Sequence, residues 1–515
     1  MVFSSLVFLC IFLPAVWLVQ LLLPSVKCKN AALLIASILF YAYGEPVYVI
    51  LLLFSALINW ALALWIAGSR RNRPSSGLSE PGQTVLYTEH KTGKGFLVFS
   101  VILNIGFLVV FKYAGFLTQM INVLLRLHLP VPQIPLPIGI SFYTFQALSY
   151  VIDVYRGSCD VQRNFFTLLL YISFFPQLIA GPIVKYRDIE KELRDRVVTA
   201  KESAGGIRRF LCGLSKKVLI ANTCGVIVDT LFQAPPDLIW LPSAWLAAVA
   251  YLLQIYFDFS GYSDMAIGMG RMFGFHFREN FRYPYVASSI TDFWRRWHIS
   301  LSTWFREYLY IPLGGNRKSR ARTIFNRFVV FLTCGIWHGA NLTFLFWGFY
   351  HGTLLMAEDL VRTCVRTRGK APIAREIRSV KPGQCTANKD VKKHVGLSGI
   401  LKKVFLHGYT ILAVTVGFVF FRADTIRQGF GMVSKMFTAY RLPSAESSVL
   451  LRSVLTPVSI TALVAGAVAS MPLYALMREK KWVQAASYAA SLALMAVCIL
   501  NLASGTYNPF IYFRF

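Results

Sequence analysis

Charge is scarce in this sequence: 15% of its 515 residues are Asp, Glu, Lys or Arg, against about 25% in a soluble domain. The acids are scarcer still, with 24 Asp and Glu against 53 Lys and Arg. No polar stretch is long enough to form a separate soluble domain, so a water-soluble fold is excluded. Nine cysteines include no CxxC pair and no metal-type spacing, which excludes a cysteine-based metal site. Cys10, Cys334 and Cys498 sit inside apolar runs and read as small core residues. Missing as well are a phosphate-cradling glycine loop, an HExxH pair and a GxSxG elbow. Hydrolases and ATP-driven pumps built on those motifs are removed with them.

What is present is hydrophobic, at 56% of the chain. Residues 2–23, 47–67, 165–183 and 456–477 approach or exceed the roughly 20 apolar residues that cross a bilayer. The first run has no basic segment before it and no small-residue cleavage site after it. It reads as a retained first span rather than a signal peptide. The net charge of +29 is spread over short loops between apolar runs rather than gathered on one face. This is the positive-inside pattern of a membrane protein, not a nucleic-acid footprint.

The expected architecture is an all-α polytopic membrane protein of about 11 to 12 crossings, by counting apolar runs. Lys27 and Lys29 place the first turn in the cytoplasm. Residues 31–43 and 47–67 form a hairpin about Gly44-Glu45-Pro46, and 95–111 crosses after a basic cytoplasmic loop at 69–94. Four prolines in 130–137 are too many for a helix interior. The short apolar segment 138–152 after them dips into the membrane or lies against other helices. Residues 185–217 read as one or two amphipathic surface helices, and 216–232 and 240–257 as spans. The stretch 258–327 has no clean span, 324–336 and 342–356 make a hairpin, and 362–403 is a second basic, flexible cytoplasmic loop. Spans at 404–421, 456–477 and 482–500 complete a single integral domain, with its tail outside.

Ionisable groups at membrane depth mark functional sites by default, and here they concentrate between 258 and 352. His338 occupies the corner Trp337-His338-Gly339-Ala340-Asn341 of the hairpin. An imidazole there can take a proton from a hydroxyl and return it to a leaving group, and burial keeps the ring neutral. The run Phe293-Trp294-Arg295-Arg296-Trp297-His298, continuing through Trp304 and Arg306 at near-helical spacing, reads as an interfacial amphipathic helix. The same run offers arginines for an anionic donor and a second imidazole; His351 is a third histidine in the region. Asp258 and Asp264 in DFSGYSD read as polar caps at the end of a span rather than a catalytic dyad.

Six ordered blocks carry a resemblance. They are PIGISFYTFQALSYVIDVYRG from Pro137, FPQLIAGPIVKYRDI from Phe175, DFSGYSDMAIGMGRMFGF from Asp258, ENFRYPYVASSITDFWRRWHISLSTWFREYLYIPLGG from Glu279, GIWHGANLTFLFWGFYHG from Gly335 and PFIYFRF from Pro509. Together they resemble the membrane-bound O-acyltransferases, in the bacterial branch that acetylates alginate and peptidoglycan. The resemblance implies helices around a central cavity, with re-entrant or interfacial helices, an acyl thioester arriving from the cytoplasm and a hydroxyl outside. The family's invariant histidine corresponds to His338 and the second polar position of this branch to His298.

The expected function is therefore transfer of acetyl from acetyl-CoA, across the bacterial inner membrane, to an extracytoplasmic polysaccharide or a partner acetyltransferase outside. No bound cofactor or metal is called for, because the thioester drives the reaction. His338 is the expected base, His298 or Asn341 the oxyanion donor, and Arg295, Arg296 and Arg306 the holders of the donor. The terminal PFIYFRF also resembles the tyrosine-bearing tail of the small membrane peptide that accepts D-alanine in teichoic-acid modification, which makes Tyr512 a candidate acyl relay. The rival classes are a polysaccharide transporter or flippase and a non-catalytic scaffold. Against the first, no repeated half with broken helices is found; against the second stand the intact His298 and His338.

Overall fold

The long apolar runs are helical in the computed structural model, which describes residues 2–71, 91–179, 181–369, 397–440, 442–477 and 479–505. Among the described residues there is no strand. Helices are what a lipid-facing chain must form, because each closes its own backbone hydrogen bonds. Small polar residues set their starts. Ser25, Asn164, Ser289, Ser319, Thr425, Ser444 and Thr456 each accept a backbone N–H of the first turn, and Thr199 does so in a reciprocal box with Glu202.

Six helices among the described residues are long and apolar enough to cross a membrane: Val26–Gly44, Val49–Ser69, Gly93–Leu125, Ala200–Gln233, Ile400–Arg422 and Lys481–Ala503. A seventh follows if Ala445–Val454 and Pro457–Ala469, bent by 64°, form one span. The other expected crossings fall on helices that are shorter, broken or charged. Phe8–Leu22 is short, and 165–183 breaks at Phe174 between Phe165–Ser173 and Phe175–Leu178. The hairpin helices Arg320–His338 and Leu342–Gly369 carry arginines and acids at their outer ends. The second of them runs into the expected 362–403 loop, whose residues 370–396 lie outside the described residues.

The described residues form two compact units, drawn from Met1–Ala234, Ala250–Asn280 and Ser444–Phe515, and from Pro235–Val249 and Phe281–Pro443. In the first, the segment after the prolines is the helix Ile140–Arg156, entered through Gly139 at φ 78° and buried along its whole length from Ile140 to Val151. It lies among other helices rather than facing lipid. The expected surface segment is a pair of helices, Tyr186–Arg194 and Ala200–Ser215, as its amphipathic pattern predicts. The second continues through a π-helical turn, Lys216–Ala221, into the following span, so surface helix and span are one rod.

One expectation is overturned here. Asp258 and Asp264 do not cap a span: they lie inside the helix Leu241–Met272, which carries on past both. Each is a counterion. Lys217 Nζ is 2.6 Å from Asp258 Oδ1, with both side chains 2% exposed. Asp264 takes Arg209 at 2.5 Å and Lys216 at 2.6 Å, and Arg209 also grips Glu279 through two nitrogens. The helices approach closely enough for this because glycines meet. A Cβ on Gly213 would lie 2.5 Å from the Gly261 carbonyl oxygen, and one on Gly268 2.6 Å from that of Gly206.

Candidate active site

The second unit holds His298, His338 and His351. Its scaffold is the hairpin Arg320–His338 and Leu342–Gly369, whose helices touch backbone to backbone where Gly335 meets Phe344 and Gly348. Any Cβ at Gly335 would strike the Phe344 carbonyl oxygen. The close approach delivers His338, the last residue of the first helix, to a tight corner. Asn341 caps the second helix: its Oδ1 accepts from Thr343 N at 3.0 Å and its Nδ2 donates to the Asp424 carbonyl at 2.9 Å. Trp337, Trp347 and Phe421 meet the His338 ring at centroid distances of 4.9, 5.3 and 5.0 Å, all edge-on.

His298 comes from a different element. The expected continuous helix across 293–306 is broken into Ile290–Arg296 and Ile299–Phe305, because His298 is left-handed at φ 43°, ψ 56°. That conformation is uncommon outside glycine and asparagine, and an observed case points to function. The ring is buried, with Nδ1 3.5 Å from Ser300 Oγ. Glu358 of the hairpin fixes the preceding helix by accepting Ile290 N at 2.6 Å, Thr291 N at 3.1 Å and Thr291 Oγ1 at 2.7 Å. A carboxylate at a helix N-terminus is favourably placed there.

His298 and His338 line one cavity of about 880 Å³, within the range of small-molecule sites. Both histidines are buried, whereas Arg295, Arg306, Arg317 and Lys318, which line the same cavity, are exposed. The cavity therefore joins four exposed cationic side chains to two buried histidines. Four expected site residues, His338, His298, Arg295 and Arg306, are brought together. Arg296 is not among the lining residues; its Nε donates to Asp292 at 3.1 Å, one helical turn back. Asn341 is likewise absent from the lining, held by its capping role. His351 is packed behind the wall against Trp294 and Trp347. Tyr512 lies outside the described residues.

Arg317, Lys318 and Arg327 line the cavity without having been singled out in the sequence. The Gly314-Gly315-Asn316 turn signal beside two basic residues was the available clue. Among the described residues no group of His, Cys, Asp and Glu could hold a metal ion.

The membrane-bound O-acyltransferase (MBOAT) family matches residues 160–377. A probable alginate O-acetylase of Pseudomonas putida is 36% identical over the whole of both chains. A peptidoglycan O-acetyltransferase of Helicobacter pylori is 35% identical over 69% of this chain and 70% of its own. A teichoic acid D-alanyltransferase of Bacillus subtilis is 31% identical over 42% of this chain and 58% of its own. Full-length identity at this level, on a multi-pass helical chain, settles the class: the protein belongs to the membrane-bound O-acyltransferase family and is an O-acetyltransferase.

Proposed function

We propose that this enzyme takes acetyl from acetyl-CoA at the cytoplasmic face of the bacterial inner membrane and delivers it to a hydroxyl of an exopolysaccharide outside. Alginate or a similar polymer is the acceptor favoured by the full-length relatives; peptidoglycan is the second reading, on the shorter match to the Helicobacter pylori enzyme. The observation that carries the reading is the single cavity that joins an exposed cationic mouth to His298 and His338. His338 accepts the proton of the attacking hydroxyl as its oxygen bonds to the thioester carbon. The negative charge on the carbonyl oxygen is met by His298. The C–S bond then breaks, and the thiolate recovers the proton from the imidazolium, leaving an acetyl ester and free CoA.

Deletion of the gene is expected to remove O-acetyl from the secreted polymer while leaving polymer yield intact, and the wild-type gene restores it. Ester analysis of purified polymer and of peptidoglycan reads the result. Undiminished acetylation of both overturns the proposal, loss confined to peptidoglycan selects the second reading, and loss of the polymer itself selects a transporter.

Tyr512 is proposed to be the first acceptor, acetylated at the His338 site and passing the group to the polymer or to an acetyltransferase outside. Tyr512→Phe retains an aromatic anchor and removes only the hydroxyl, so polymer acetylation is expected to fall to background. Full acetylation by the variant leaves the tail as an interfacial anchor.

A further inference from the structure

In the first unit three deep cations are matched by acids: Lys217 by Asp258, Lys216 by Asp264, and Arg209 by Asp264 and Glu279. In the second unit Arg327, at the cavity wall, is matched by Asp359. Arg295, Arg306, Arg317 and Lys318 line the same cavity, and none of them forms an ion pair with a described residue. Four like charges at one opening repel each other and attract an anion to it. What sets these four apart from the chain's other unpaired cations is that they line one cavity together.

The two furthest from the histidines in sequence, Arg317 and Lys318, sit on a built turn. Gly314 and Gly315 are left-handed in succession, at φ 106° and 54°, which only glycine adopts without strain. Gly315 N donates to Tyr310 O at 3.0 Å and Arg317 N to Gly314 O at 3.2 Å. From the other side the buried Asn326 amide donates to the carbonyls of Leu313 at 3.3 Å and Gly315 at 3.1 Å. The Lys318 stem lies over Gly314, where an added Cβ would come within 3.2 Å of it. A surface loop that merely solvates two basic side chains needs none of these constraints.

We propose that the 314–318 turn is the phosphate-holding element of the donor site, taking the phosphate groups of the coenzyme A thioester while the pantetheine arm enters towards His298 and His338. The inference rests on the donor reading above. Phosphate at a membrane surface has a second source, the headgroup of an anionic lipid. The turn's place on the cavity wall favours the soluble donor.

The test uses the full-length protein purified into nanodiscs of phosphatidylcholine alone, and in parallel with phosphatidylglycerol added. The acceptor is a uronate oligosaccharide. Acetyl-CoA is compared with S-acetyl-N-acetylcysteamine, a thioester without phosphates, for the wild type and for Arg317→Gln/Lys318→Gln. The ratio of kcat/KM for the two donors is expected to fall by roughly 10- to 100-fold in the variant in both lipid compositions, as two charge-assisted contacts are lost. Calorimetric titration with adenosine 3′,5′-bisphosphate is expected to show binding to the wild type and a comparable weakening in the variant. An unchanged ratio, or an effect seen only with phosphatidylglycerol, overturns the inference. A wild type that uses both donors equally well overturns it too, while the acetyltransferase reading survives. A wild type that uses neither removes both.

Discussion

His338→Ala is expected to lower acetyl transfer by roughly 10² to 10⁴-fold, the usual effect of removing a general base, with the protein still present and folded in the membrane. The physical case is that the ring does little for the fold. It sits at the end of a helix, packed edge-on by three aromatic rings, two of which, Trp347 and Phe421, also meet each other at 5.1 Å. The corner it occupies is made by Gly335, Gly348 and the Asn341 cap instead. His298 calls for a different substitution, because its backbone is left-handed. Asparagine tolerates that conformation, so His298→Asn removes the imidazole and keeps the bend between the two short helices. It is expected to be severely impaired in turnover and normal in expression. Near-normal activity of a folded His338→Ala protein would end the assignment of the base.

Asp258→Ala is expected to act on the other axis and cost the folded protein itself. Stripping one partner from a buried ion pair leaves a lone charge and costs about 3–5 kcal/mol, against total stabilities of about 5–15 kcal/mol for typical domains. Lys217 and Asp258 are both 2% exposed, so water reaches neither. The variant should be lost from the membrane, or melt far below wild type by size-exclusion chromatography of heated detergent extracts. Lys217→Met/Asp258→Leu removes both charges and should recover most of the protein, since apolar replacement of a whole buried pair is tolerated. An Asp258→Ala protein that accumulates and melts like wild type but is inactive would move this pair from the scaffold to the chemistry.

How much of this was legible beforehand depended on whether the signal was local. The hairpin corner at His338 was readable because two apolar runs flank four polar or small residues, His338 to Asn341. The ion pair of Arg296 and the capping position of Asn341 both had local signals. Asp292, four residues before Arg296, was the mark of an internal pair, and Asn341 directly before an apolar helix was the mark of a cap. The break at His298 had no such signal, since the local spacing continues as a helix and only tertiary packing imposes the left-handed residue. The pairing of Asp258 and Asp264 with Lys217, Lys216 and Arg209 joins residues about 40 to 55 positions apart, beyond the reach of any periodicity. The same holds for Arg317 and Lys318, whose turn is visible in the glycines but whose place on the cavity is not.

Transfer from acetyl-CoA on one side of the membrane to an ester on the other can be read in sealed proteoliposomes that hold a uronate oligosaccharide in the lumen, with acetyl-CoA carrying a radioactive acetyl group supplied only outside. Alkali-labile acetyl ester within the lumen, dependent on His338, is the expected result. Ester formed only when donor and oligosaccharide share a compartment, or none formed from acetyl-CoA at all, would contradict it.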